Sequence, residues 1–154
     1  MTDNRQQNDS DFTIVLYGPR LKDAATRLLS AEGFEHLLLC AENDQQFRDL
    51  VKTHTPQLVL LDFDDREIRA FNIVELAKKD AADAEVIGIT EGGAFNRAIR
   101  AVRSGFYSVV DISSDQMQLQ RDIAAVHAAW RQNSDSKRFL DTQKTAFDLS
   151  LIHI

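Results

Sequence analysis

Short apolar runs alternate with longer stretches of helical periodicity, and the alternation recurs about five times between Phe12 and Gln132. A chain built of repeated βα units has few folds open to it. The strand candidates are Phe12–Tyr17 (FTIVLY), Leu37–Ala41 (LLLCA), Leu58–Asp62 (LVLLD), Val86–Thr90 (VIGIT) and Ser108–Ile112 (SVVDI). Most are apolar at successive positions, as strands are when helices cover both faces of a parallel sheet. Five units are too few for an eight-stranded barrel, so the expected α/β architecture is an open, doubly wound, five-stranded parallel sheet of order 2-1-3-4-5. In that order the winding reverses between the first and third strands. A site is expected at the carboxyl ends of those strands, among Tyr17, Gly18, Asp62, Thr90 and their neighbours.

The intervening segments carry helix start and stop signals. Leu21, Ala25, Leu28 and Leu29 form one apolar stripe, with Pro19 before it and Gly33 after it. Asn43 with Gln46 has the spacing of a capping box, Phe47, Leu50 and Val51 supply a buried face, and Pro56 stops the second helix. A third helix is expected near Ile68–Lys79, with Phe71 and Val74 inward and Ile73 and Ala77 beside them. A fourth is expected near Phe95–Ser104, with Phe95, Ile99 and Val102 inward and Gly105 at its stop. Ser113 with Gln116 repeats the capping-box spacing ahead of a fifth helix carrying Leu119, Ile123, Val126 and Trp130.

Bulk properties narrow the function classes. The 154 residues suit one core without disulfides or metals, and 44% hydrophobic with 27% charged residues is the make-up of an ordinary globular domain. A formal net charge of -6 opposes direct binding to a nucleic-acid backbone. Cys40 is the single cysteine and has no partner for an internal disulfide. Residues 1–11 are polar, without a signal-peptide core, and are expected to be a disordered leader; a cytoplasmic location follows as the default. The longest apolar runs are too short to cross a membrane.

The order of elements, the string Pro56-Gln57-Leu58-Val59-Leu60-Leu61-Asp62, Thr90 ending the fourth strand and Gly105-Phe106 before the fifth together resemble the response-regulator receiver (CheY-like) domains of two-component systems and phosphorelays, which have a flavodoxin-like fold. The resemblance covers roughly Phe12 to Gln132. It implies that Asp62 stands where an aspartate takes a phosphoryl group and that Thr90 stands at the switch hydroxyl. It also implies an acidic pair after the first strand to hold a metal, and a lysine followed by proline after the fifth. This chain departs at both places. It reads Leu16-Tyr17-Gly18-Pro19 in the first, with no carboxylate between Asp11 and Asp23, and Asp111-Ile112-Ser113-Ser114 in the second, with no lysine between Lys79 and Lys137. Magnesium prefers several oxygen ligands, and loss of one preorganised electrostatic donor typically costs a factor on the order of a hundred to a thousand in rate. The family's switching aromatic falls near Val109, with Tyr107 two residues earlier.

Each candidate has a plainer explanation beside the functional one. The plainer explanation of Asp62, and the favoured one, is a carboxylate at a strand end that caps backbone amides or pairs with a cation. Asp64 and Asp65 make either an unusual metal site or a solvated acidic turn. Thr90 is a β-branched residue of the kind strands favour. Gly92-Gly93 reads as a loop pair, Cys40 as a small buried hydrophobe, and His36, His54, His127 and His153 show no metal or catalytic spacing. Arg97, Arg100 and Arg103 fall on one side of the fourth helix, either as a partner surface with Tyr107 or as a solvated stripe. In the tail, Leu140, Lys144, Phe147, Leu151 and Ile154 follow coiled-coil spacing, after an interruption near Asn133-Ser134-Asp135-Ser136.

The sequence therefore leads to one receiver-like domain, residues 12–132, with a leader, 1–11, and a helical linker or dimerisation segment, 133–154, that precedes an output domain or folds back. The expected role is regulatory signal transduction by an atypical receiver without catalysis, cofactor or metal. Its partner is a protein or a second copy, met through the face from the fourth to the fifth helix or through the C-terminal helix, with no membrane and no nucleic acid. Two alternatives stand beside it. One is a working phospho-acceptor at Asp62, with magnesium held by Asp62 and Asp64 or Asp65. The other is a module for a second-messenger nucleotide that uses Gly92, Gly93 and the arginine stripe.

Overall fold

In the computed structural model, the described residues are 12–31, 33, 38–65, 68–92 and 104–133. Five strands, β1 (Ile14–Tyr17), β2 (Leu38–Ala41), β3 (Leu58–Asp62), β4 (Glu85–Thr90) and β5 (Ser108–Asp111), form one parallel sheet of order β2-β1-β3-β4-β5. A 3₁₀ turn, Pro19–Leu21, leads into α1 (Lys22–Ala31); α2 (Asp44–His54) and α3 (Ala70–Asp80) follow, and residues 116–133 form a last helix, α4, the fifth of those expected. The expected fourth helix with Arg97, Arg100 and Arg103, Gly93, His36, His153, the leader and the tail beyond 133 lie outside the described residues.

Strand alternation divides the core in two. Val15, Val59, Leu61 and Val86 face Phe47 and Val51 of α2 and Val74 and Ala77 of α3. Ile14, Leu16, Leu58, Leu60, Ile87 and Ile89 face Leu21, Ala25 and Leu29 on one side and Leu119, Ile123 and Val126 on α4. Every residue of β1 and β3 is buried, so each strand must be apolar on both faces, which explains the unbroken runs in the sequence. Removing such a Leu or Ile side chain from water contributes about 1.5–3 kcal/mol. The exception at the end of β3 is Asp62, buried with no apolar character to justify it.

Element boundaries differ from the sequence expectations for local reasons. β1 starts at Ile14, and Phe12, on the same side of the sheet as Ile14 and Leu16, packs its ring on His127 and Trp130, centroids 4.8 and 5.3 Å away. The Asn43 cap forms as expected, its Oδ1 accepting from the Gln46 amide at 2.9 Å, but the Gln46 side chain accepts from the Glu42 amide instead of the Asn43 amide. α3 begins at Ala70, two residues later than expected, because Arg69 sits in the left-handed region at φ 51. Phe71 is half-buried, while Ile73, Val74 and Ala77 are buried. The capping box at Ser113 and Gln116 is not made: Asp115 caps α4, accepting from the Gln118 amide at 3.1 Å, while Ser113 bonds to Asp111. An aspartate directly before the helix competes successfully with a serine two residues further out.

Candidate functional site

Asp62 ends β3 beside β1, at the point where the winding direction changes. Its position in the alternation, with Leu58 and Leu60, turns it toward the face covered by α1. The chain leaves β1 through Gly18, which passes directly over Asp62: a Cβ on Gly18 would sit 2.7 Å from the Asp62 Cβ. Pro19 then starts the 3₁₀ turn, closed by a 2.9 Å bond from the Leu21 amide to the Gly18 carbonyl. This turn places Arg20 over the carboxylate.

The result is a fork-to-fork ion pair. Arg20 Nε donates to Asp62 Oδ2 at 2.8 Å and Nη2 donates to Oδ1 at 2.9 Å. The Asp64 amide donates to the same Oδ1 at 3.1 Å. Asp62 is fully buried, whereas the Arg20 side chain is 52% exposed, so the guanidinium closes the pocket from the solvent side. Its hydrogen bond to Asp62, and then the carboxylate's charge, hold the guanidinium protonated even more firmly than usual. Charge-assisted, bidentate pairing of this kind is the strong form of the hydrogen bond.

A second set of bonds fixes Thr90. Its hydroxyl donates to Asp64 Oδ1 at 2.7 Å, and the Glu91 amide donates to Asp64 Oδ2 at 2.9 Å. Asp64 therefore ties the loop after β3 to the loop after β4, and the Gly92 amide reaches back to the Thr90 hydroxyl at 3.4 Å. At the end of β5, Ser113 donates from its amide to Asp111 Oδ1 at 3.0 Å and from its hydroxyl to the Glu91 carbonyl at 3.3 Å. Asp62, Asp64 and Thr90 are thus brought together as the strand order requires. Asp65 is half-buried on the same turn. Tyr107 lies at the other end of the sheet, before β5, and is 42% exposed. Cys40 is half-buried in β2, where burial pushes its thiol up.

Arg20 escaped the sequence reading. The signal was in plain view: the segment after the first strand carries an arginine where the resemblance calls for acids. Its partner lies 42 positions away, so only the fold brings the two together.

The donors around Asp62 do not suit a divalent cation. Both Asp62 oxygens accept from Arg20 or the Asp64 amide, and both Asp64 oxygens accept from Thr90 or Glu91. A guanidinium occupies the approach, and like charge opposes a dication there. Among the described residues no group of three or more His, Cys, Asp or Glu side chains is arranged to hold a metal ion.

The fold is similar to those of several solved receiver domains. A response regulator from Hahella chejuensis aligns over 77% of this chain and 94% of its own, with TM-score 0.61 and 22% identity. The signal receiver domain of a DNA-binding response regulator (merR) from Colwellia psychrerythraea 34H aligns over 75% and 97%, with TM-score 0.66 and 22% identity. This chain has the receiver fold. A CheY-like receiver domain protein from Methanospirillum hungatei JF-1 aligns over 79% and 98%, with TM-score 0.64 and 14% identity. The receiver fold is thus shared at identities of 22% or less, and it alone is what the likeness establishes. No protein-family model and no curated protein matches the sequence. Among the described residues no helix is long and apolar enough to cross a membrane.

Proposed function

We propose that this chain is a regulatory signal-transduction domain, an atypical response-regulator receiver that works through protein contacts and not through magnesium-dependent phosphorylation of Asp62. The observation that carries the reading is the Arg20–Asp62 fork. A carboxylate that attacks phosphorus needs an oxygen lone pair free to face it, and the reaction needs a metal and a fixed cation for the charge that develops. Here both carboxylate oxygens are committed to a guanidinium delivered by the 3₁₀ turn. Freeing one of them means breaking a strong pair and leaving a buried charge.

The working phospho-acceptor has less support, since Asp64, its substitute metal ligand, is already bonded to Thr90 and Glu91. A nucleotide held by Gly92 is opposed by the bond from that amide to Thr90. On this reading the domain has no turnover, needs no cofactor, acts in the cytoplasm and meets a protein or a second copy of itself, without direct contact to nucleic acid or membrane. A beryllofluoride-activated NtrC4 receiver domain of similar fold is a dimer, which makes self-association the first arrangement to test.

The decisive experiment is incubation with acetyl phosphate and magnesium followed by intact-mass measurement. The proposal expects an unmodified mass. A stoichiometric phosphate adduct that disappears in Asp62→Asn would defeat it.

A further inference from the structure

We propose that the groove between α4 and the amino ends of β4 and β5 receives the chain's own segment Lys137–Leu140. The inference goes beyond the regulatory reading, because it concerns the end of the sheet opposite Asp62 and holds or fails independently of whether that residue is phosphorylated.

The groove has a volume of about 650 Å³. One wall is α4, where Ala125 and Ala129, both exposed and four residues apart on one helix face, leave a hollow beside Trp130. Trp130 is half-buried: it packs against Phe12 and the core beneath α4, and its remaining surface lines the groove. The facing wall is Tyr107, ahead of β5, with the exposed Ala82 from the loop before β4. Tyr107 is one of two exposed large hydrophobic side chains among the described residues. The apolar surface here is accessible to water, so covering it is favourable.

Charge narrows what can cover it. Asp83, exposed, and Glu85, half-buried at the start of β4, both line the groove, and neither forms an ion pair with another described residue. Among the described residues no cation lines it. A phosphate or a nucleic-acid backbone is repelled by such a rim, whereas an apolar segment carrying cations matches both floor and rim.

That segment follows directly in the sequence. Asn133, the last described residue, is itself part of the lining. The chain continues as Ser134-Asp135-Ser136-Lys137-Arg138-Phe139-Leu140, an adjacent pair of cations and then an adjacent pair of large apolar side chains. The four residues from Asn133 to Lys137 can span at most roughly 13–14 Å, and Ser and Asp are residues that suit a reversal of the chain. A segment on so short a tether meets the groove at an effective concentration on the order of millimolar, against which any free partner must compete. In the docked arrangement Phe139 and Leu140 cover Tyr107, Trp130 and the two alanines of α4, and Lys137 and Arg138 face Asp83 and Glu85. The acids that bracket the segment, Asp135 and Asp141, lie outside it. The apolar positions further along, Phe147, Leu149, Leu151 and Ile152, have no such cation pair beside them and carry Asp148 among them.

Trp130 is the single tryptophan of the chain, so its fluorescence reports on the groove. In the full chain, F139S/L140S should raise the acrylamide quenching constant of Trp130 at least ~2-fold and shift the amides of Tyr107, Ala125 and Ala129. K137E/R138E sets like charges against the rim and should act in the same direction. Adding D83K/E85K to K137E/R138E swaps both sides of the contact and should restore the native quenching. The native quenching should also survive a ~100-fold dilution, because the contact forms within one chain. Circular dichroism of each variant establishes that it is folded; should F139S/L140S fail to fold, K137E/R138E and its charge swap decide. Native quenching in K137E/R138E, or no recovery on the charge swap, would overturn the proposal. Quenching that rises on dilution would assign the groove to a segment from a second copy and overturn it as well. A phosphate adduct on Asp62 would overturn the regulatory reading and leave this surface standing.

Discussion

Arg20→Met removes the guanidinium while keeping most of the apolar stem, and its effect on stability can be worked from the geometry. In the variant, the Asp62 carboxylate, fully buried in the native chain, keeps only the Asp64 amide of its three described hydrogen bonds. Removing one partner of a buried ion pair typically costs about 3–5 kcal/mol, because the other charge is stranded. Arg20 is 52% exposed, so water can enter the vacated space, and the expected loss falls to about 2–3 kcal/mol. Asp62→Asn makes the opposite deletion and should cost less. The amide keeps an acceptor for the Asp64 N–H, and the released guanidinium already faces water, so about 1 kcal/mol is expected. The double variant R20M/D62N should then be more stable than R20M alone, a coupling that a double-mutant cycle measures directly. Urea unfolding followed by circular dichroism, with unchanged m-values, gives all three differences. The reasoning is refuted if R20M lies within about 0.5 kcal/mol of the native chain or if D62N proves the more damaging.

Three further predictions test neighbouring parts of the site. Gly18→Ala should destabilise by about 1–3 kcal/mol in the same urea assay, since its Cβ would collide with the Asp62 Cβ at 2.7 Å; a neutral effect would show that the crossing has room. Asp64→Ala removes the acceptor for Thr90 and Glu91, so the Glu91 amide should exchange its hydrogen at least ~10-fold faster, and unchanged exchange would remove the staple between the two loops. The Cys40 thiol, raised by burial, should react with a disulfide reagent at pH 8 more slowly in the native chain than in urea. Because the folded-state value is the higher one, the native state holds its proton longer. This thiol should therefore cost the native chain no stability below the ordinary thiol value and reduce its stability as pH rises above it.

The sheet was legible in the sequence because burial on both faces leaves an unambiguous mark, as in the run Leu58–Leu61 ahead of Asp62. The number of units excluded an eight-stranded barrel, the expected order 2-1-3-4-5 is the one the sheet has, and Asn43 announced the start of α2. Residues whose role depends on a distant partner were legible only in part. Asp62 was located, with cation pairing stated as one of its explanations, but the cation itself, Arg20, is supplied by a turn whose shape depends on Gly18 packing against β3. The Ser113 cap failed for a local reason: Asp115, directly before the helix, takes the Gln118 amide, while Ser113 is bonded to Asp111.

The most direct test of the central claim is titration of the labelled chain with manganese, reading paramagnetic broadening of individual amides. If Arg20 occupies the place of a metal, the amides of Phe63, Asp64 and Thr90 should broaden no more than those of exposed acidic residues such as Asp49 or Asp83. Selective, saturable broadening of the three at the Asp62 pocket would contradict the account.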